Sequence, residues 1–109
     1  VYEADDEIDP VKLRGVLDDI AALGLKARIS ELDVYNSTRT RQAQQFGAVL
    51  RTCVEHPACE STTFWGLSER YGSTSYLDGG QLQIGDGLPW DRNLSPLPAV
   101  TQMRAALTS

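Results

Sequence analysis

The stretch KARISELDV, residues 26–34, alternates like a β-strand and carries two carboxylates among apolar side chains. The alternation predicts two faces, one with Ala27, Ile29, Glu31 and Asp33 and the other with Arg28, Ser30, Leu32 and Val34. Burial of a carboxylate without a partner is unfavourable. Glu31 and Asp33 therefore indicate either the solvent-facing side of an ordinary strand or an edge of a sheet where a ligand binds.

A helix is predicted before this strand, over residues 10–23. Asp9 is a favourable N-cap, Pro10 suits the first helical position, and Gly24 ends the pattern. The predicted apolar face of this helix contains Leu13, Val16, Leu17, Ile20 and Ala21.

Helices and strands continue to alternate after residue 34. A second helix is predicted over residues 38–55 and ends before Pro57; its apolar face contains Phe46, Val49, Leu50, Cys53 and Val54. Residues 61–66 are β-branched and aromatic, which favours a second strand. Residues 67–94 lack periodicity and predict a long loop. A last helix is predicted over residues 96–107, with Val100, Met103 and Leu107 on one face.

This order of elements predicts a parallel α/β arrangement, because each pair of strands is joined through a helix. Two parallel strands do not form a sheet that is stable alone, and a 28-residue loop is unusual in so short a compact domain. Both features are expected in the last part of a β/α barrel, in which long functional loops follow the strands.

The composition narrows the class of partner. The chain has 109 residues, a formal net charge of -5 and ten Lys and Arg residues without a basic stripe. Nucleic acids and anionic membrane surfaces are therefore poor partners, and no apolar run is long enough to cross a bilayer. Because Val1 is neither a start residue nor part of a signal peptide, we expect the chain to be a processed or truncated piece of a longer protein.

Two cysteines, Cys53 and Cys59, lie in the segment CVEHPAC. A loop of five intervening residues with a proline can close into a disulfide, whereas a metal site would need more ligands than the nearby His56. Reduced structural thiols are the alternative. A disulfide would indicate a protein that works outside the cytosol.

Several segments together resemble a known family: GLKARISELDV (24–34), CVEHPAC (53–59), TTFWGLSERY (62–71), LPWD (88–91) and SPLPAV (95–100). In order and spacing they are similar to the end of the catalytic domain of glycoside hydrolase family 10, the endo-1,4-β-xylanases. The resemblance extends from about Asp9 to Leu107. It implies that residues 1–109 are the C-terminal portion of a (β/α)8 TIM barrel, with strands seven and eight and their flanking helices.

The resemblance also implies an activity. The family hydrolyses internal β-1,4 bonds of xylan or related polysaccharides by a retaining mechanism, with no cofactor and no metal. Glu31 matches the nucleophile, and Asp33 matches an acid that supports the histidine holding the nucleophile. Trp65 matches an aromatic wall of the sugar-binding cleft; a buried core tryptophan is the alternative. Such enzymes are secreted.

Some positions depart from the family pattern. Glu69 stands where the family usually has Asp. Tyr76 follows an insertion where the family has a Ser-Trp pair, so it is either a stacking contact for a sugar or an ordinary surface residue of the loop. The acid/base glutamate and the histidine have no counterpart in this chain, so we expect the isolated chain to be inactive and to fold poorly.

Two other functions fit part of the pattern. One is another retaining β-glycanase on the same barrel, because this fold supports many reactions. The second is a non-catalytic carbohydrate-binding module that would stack sugars on Trp65, Tyr71, Tyr76 and Trp90. The helical patterns disfavour such a module, because most modules of this kind are all-β sandwiches.

Overall fold

The computed structural model describes residues 8–34, 38–71 and 87–108. Within them the elements follow the predicted order: α1 (Pro10–Ala22), β1 (Ala27–Leu32), α2 (Arg39–Glu55), β2 (Cys59–Phe64), a 3-10 helix (Glu69–Tyr71) and α3 (Pro98–Thr108). Strands β1 and β2 pair in parallel. The prediction of alternating helices and parallel strands is thus confirmed.

Helix α1 begins and ends as its sequence predicts. The Asp9 side chain accepts a hydrogen bond from the backbone N–H of Val11 at 2.9 Å, and Pro10 occupies the first turn. Gly24 has a positive φ of 75°, which a residue with a side chain rarely adopts. The predicted apolar face is too wide, since Leu17 is the one fully buried residue of the helix and Val16 is exposed.

Helix α2 provides most of the core. Thr38 caps its first turn by accepting a hydrogen bond from the N–H of Arg41 at 3.2 Å. Of the predicted apolar face, four residues are buried and the fifth, Val54, is exposed. Phe46 is fully buried, and its ring centroid lies 5.9 Å from that of Phe64 on β2. This contact joins the helix layer to the sheet.

The faces of β1 differ from the predicted alternation. Ile29 pairs with Thr62 and Leu32 with Phe64, so three steps along β1 match two along β2. This irregularity places Ile29 and Leu32 on the same, helix-facing side, where both pack in the core. The prediction that Ile29 shares a face with Glu31 is therefore wrong, because one extra residue inverts the alternation.

Helix α3 packs against α2 through a face offset from the predicted one. It begins at Pro98 rather than residue 96, and its buried residues are Ala99, Met103 and Ala106. Leu107 is exposed, against expectation. The offset lets small side chains meet α2: a Cβ at Gly47 would lie 3.1 Å from the Cβ of Gln102, so the two helices approach too closely for larger residues there.

The segment between α2 and β2 is cross-linked. Cys53 and Cys59 form a disulfide across a Cα–Cα distance of 5.1 Å. His56 accepts the N–H of Ala58 at its Nδ1 (3.0 Å), so the proton of the neutral ring lies on Nε2, which contacts Asp18 Oδ1 at 2.7 Å. The bridge and the histidine together fix α1 and α2 at the start of β2.

Removal of the disulfide should lower stability without changing the fold. We expect the double variant Cys53→Ser, Cys59→Ser of the full-length protein to lose about 2 kcal/mol in the free energy of unfolding, because the bridge closes a short loop. Urea denaturation of the variant and of reduced wild-type protein should give similar midpoints. Equal midpoints for the double variant and the oxidised wild-type protein would contradict this assignment.

None of the α-helices in the described part of the chain combines the length and apolar character that a bilayer crossing requires.

Candidate functional site

The C-terminal ends of β1 and β2 lie side by side. The backbone N–H of Trp65, directly after β2, donates to the carbonyl of Leu32, the last residue of β1, at 2.9 Å. Glu31, Leu32 and Asp33 therefore lie beside Trp65 at one edge of the sheet. In parallel α/β folds this edge is where ligands bind.

Glu31 presents an accessible carboxylate at this edge. Its side chain is exposed, as is that of Ser30, and both lie in the irregular part of β1 between the core residues Ile29 and Leu32. Bulges of this kind often re-aim a side chain beside a functional site. The position allows Glu31 to meet a ligand that approaches the strand ends.

Asp33 occupies a different environment from Glu31. It is 2% exposed and lies between Leu32 and Val34, both of which pack in the core. Alternation directs its side chain away from that core, to the side of Glu31. A carboxylate this buried can orient its neighbours more readily than it can reach a polymer in solution.

Trp65 is partly accessible, with 43% of its surface exposed. Trp65 is therefore not part of the core that the described residues form. Its ring can offer an apolar face to a sugar while its indole N–H remains a donor. Strand β2 runs from Cys59 to Phe64, so it starts and ends two residues earlier than the predicted range 61–66.

Gly66 fixes the turn that follows Trp65. Its φ is 147°, a conformation that L side chains rarely adopt, and an added Cβ would lie 3.1 Å from Cδ1 of Leu88. We expect Gly66→Ala in the full-length protein to lower stability by about 1–3 kcal/mol because of this strain. Thermal denaturation measures the loss, and Gly15→Ala, at an open helical position, is the control. Equal stability of the two variants would contradict the strained turn.

Trp90 and Asp91 make structural contacts that fix the segment after β2. The N–H of Trp90 donates to the carbonyl of Leu67, and the N–H of Glu69 donates to the carbonyl of Trp90, both at 2.9 Å. Asp91 Oδ1 accepts the N–H groups of Asn93 and Ser95, each at 2.9 Å. Tyr76, the other predicted substrate contact, lies outside the described residues.

A polar cluster beside the site was missed by sequence reasoning. Arg39, the first residue of α2, contacts Glu69 Oε1 at 2.8 Å through Nη1 and donates to Glu69 Oε2 at 3.2 Å through Nη2. It also donates to Gln42 Oε1 at 3.0 Å, and Gln42 Nε2 donates to the Val34 carbonyl at 3.0 Å. Glu69 and Gln42 are buried. The one available sequence signal was the departure at Glu69.

In the described ranges no group of three or more His, Cys, Asp or Glu side chains is arranged to hold a metal ion. The arrangement offers instead an exposed carboxylate, a buried carboxylate and an aromatic face at one sheet edge. These groups suit nucleophilic attack on, and stacking against, a neutral polar ligand such as a sugar.

Comparison with known proteins gives a consistent result. Residues 2–106 match the family model described as glycosyl hydrolase family 10. The chain is 30% identical over 96 residues to endo-1,4-beta-xylanase A of Fusarium oxysporum f. sp. lycopersici, covering 83% of this chain and 28% of the relative. It is 29% identical over 107 residues to endo-1,4-beta-xylanase 2 of Aureobasidium pullulans, covering 93% and 29%.

A solved structure supports the same conclusion about the fold. The glycosylated family 10 endo-beta-1,4-xylanase of Gloeophyllum trabeum superposes with a TM-score of 0.84 at 25% identity, covering 97% of this chain and 34% of that protein. The chain thus spans about a third of that structure and under a third of the two relatives above. The predicted fold class, an incomplete portion of a (β/α)8 barrel, is confirmed.

Proposed function

The chain belongs to glycosyl hydrolase family 10, and from that premise we propose that it is part of a secreted enzyme that hydrolyses internal β-1,4-xylosidic bonds of xylan with retention of configuration. One observation carries the proposal. The exposed Glu31 and the partly exposed Trp65 lie together at the C-terminal edge of the sheet, joined through the Trp65 to Leu32 hydrogen bond. In this proposal Glu31 is the nucleophile and Trp65 is the surface on which the sugar stacks.

In the proposed mechanism, the Glu31 carboxylate attacks the anomeric carbon and forms a covalent glycosyl-enzyme. A carboxylic acid about 5 Å away protonates the departing glycosidic oxygen. The same group then removes a proton from water, which attacks the anomeric carbon and releases Glu31. This second carboxylic acid comes from a part of the barrel outside this chain, so the isolated chain is proposed to be inactive.

The other predicted site residues have supporting roles in this proposal. Asp33 is buried beside Glu31 and orients the groups that hold it. Trp65 packs one face against a xylose ring, because the C–H groups of a pyranose match an indole face. Tyr76 contacts substrate from the loop after β2. The chain supplies strands seven and eight, and the rest of the barrel is its structural partner.

The disulfide supports the secreted location. Disulfides persist in oxidising compartments and are rare in the cytosol, with thermophile proteins as an exception. Cys53 and Cys59 are paired, and among the described residues no cysteine is free. Xylan is too large to enter a cell intact, so a location outside the cell also fits the substrate.

Covalent trapping tests the nucleophile directly. The full-length protein is incubated with a 2-deoxy-2-fluoroxylobioside bearing a good leaving group, since the fluorine slows hydrolysis of the glycosyl-enzyme. Mass spectrometry of the tryptic peptide 29–39 should show the added disaccharide on Glu31 and not on Asp33. An adduct on another residue would favour a different hydrolase on the same barrel. Binding of xylan with no adduct and no hydrolysis would favour a non-catalytic carbohydrate-binding protein.

A further inference from the structure

The polar cluster of Arg39, Gln42 and Glu69 connects the two halves of the proposed site. Gln42 holds the carbonyl of Val34, three residues after Glu31, and Arg39 holds the carboxylate of Glu69, four residues after Trp65. Arg39 also donates to Gln42, so its side chain contacts both branches. The strand carrying Glu31 and the loop carrying Trp65 are thus connected through the Arg39 guanidinium as well as through the backbone hydrogen bond from Trp65 to Leu32.

We propose that Arg39 is a positioning residue, which fixes the strand end bearing Glu31 relative to the loop bearing Trp65. The inference rests on the proposed function for its effect on catalysis. The inference that Arg39 couples the two segments depends only on the contacts of its side chain and not on the proposed function.

The geometry favours a rigid link over a loose surface ion pair. Arg39 meets both oxygens of Glu69, through a hydrogen bond to Oε2 and a close ionic contact with Oε1, and contacts to two oxygens restrain orientation as well as distance. Glu69 is 2% exposed, so water competes weakly for its carboxylate. By contrast, the Arg14–Glu55 pair joins two side chains that are each about half exposed through one 3.2 Å contact. Exposed pairs of that kind contribute little.

Backbone hydrogen bonds connect the Arg39 contacts with the strand and the loop of the proposed site. The N–H of Val34 donates to the carbonyl of Gly87, and Glu69 is held through its own N–H by Trp90. The segment 87–90 therefore contacts both branches that Arg39 joins. Loss of the arginine should loosen the Val34 and Trp65 amides together, while the amides of α1 stay unchanged.

The length of Glu69 matters in this arrangement. A glutamate reaches one methylene further than an aspartate from the same backbone position, and here that reach ends on Arg39. The departure at residue 69 is then matched by a partner on α2. Glu69→Asp should weaken the link even though it keeps the charge.

The test uses Arg39→Met, Arg39→Lys and Glu69→Gln in the full-length protein, with Arg14→Met as the matched control. Amide hydrogen exchange at Val34 and Trp65 should rise at least tenfold in Arg39→Met, less in Arg39→Lys, and not at all in Arg14→Met. Xylan kcat/KM should fall about 10- to 100-fold in Arg39→Met, since small displacements at a reacting centre have effects of that size. The double variant Arg39→Met, Glu69→Gln should lose little more than either single variant, because both break one link.

The outcomes separate the two proposals. Unchanged exchange at Val34 and Trp65 overturns the positioning role, whatever the activity. A lower thermal midpoint in Arg39→Met with wild-type kcat and KM, measured where the variant is folded, also overturns it and leaves a purely structural pair. If exchange rises in Arg39→Met but the wild-type protein itself does not hydrolyse xylan, the positioning role of Arg39 is supported and the proposed function is rejected.

Discussion

Glu31→Gln is expected to lower xylan hydrolysis by the full-length protein at least about 1,000-fold, equivalent to roughly 4 kcal/mol of transition-state stabilisation. The amide has nearly the shape of the carboxylate but cannot form the glycosyl-enzyme. Because the Glu31 side chain is exposed, its exchange for an amide should not disturb packing. Initial rates on xylan and on aryl xylobiosides measure the loss.

Glu60→Gln is the matched control for this variant. Glu60 is an exposed glutamate in β2 that contacts Arg28 at 3.2 Å, so it shares the sheet but lies at the opposite end of its strand from Trp65. Its activity should remain within about twofold of wild type. Exposed ion pairs contribute little to stability, so the variant should fold normally. Activity of Glu31→Gln within tenfold of the control would reject Glu31 as nucleophile.

Phe46→Ala is expected to have the largest effect on stability. The ring is fully buried in the cluster formed by β1, α2 and α3, and it meets Phe64 on β2. Loss of its volume should lower the free energy of unfolding of the full-length protein by about 3–5 kcal/mol. Phe46→Leu, which keeps most of the volume, should lose about 1.5 kcal/mol or less.

Chemical denaturation of both Phe46 variants provides the measurement. Activity per folded molecule should stay near that of wild type, because Phe46 packs on the helix side of the sheet and Glu31 lies on the opposite side. If the alanine and leucine variants were equally stable, Phe46 would not be packed as the structure describes.

The order of elements could be predicted because local signals define it. Asp9 with Pro10 starts α1, Thr38 starts α2, and both caps are present in the structure. The buried face of α3, with Ala99, Met103 and Ala106, could not be predicted from periodicity, because it depends on how α3 packs against α2. Packing distance between helices is a tertiary property that one helical pattern does not contain.

Part of the candidate site could likewise be predicted from the sequence, and part could not. The adjacency of Glu31 and Trp65 follows from parallel strands, whose carboxyl ends share one edge, and so it was accessible from the sequence. The link through Arg39 and Glu69 joins residues 30 positions apart. Neither residue has a distinctive local pattern, so only the three-dimensional arrangement reveals the pair.

The extra residue in β1 has a consequence for how this strand tolerates change. Between Ile29 and Leu32 the side-chain alternation shifts by one residue. Odd-numbered positions such as Ile29 face the core before this point, and even-numbered positions such as Leu32 and Val34 face it afterwards. A substitution at Ser30 leaves that phase relation intact. A one-residue deletion there would remove the extra residue and restore regular alternation, with Ile29 and Leu32 still on the helix side and both carboxylates still on the other. The extra residue therefore determines how Glu31 is aimed rather than which side of the sheet it faces.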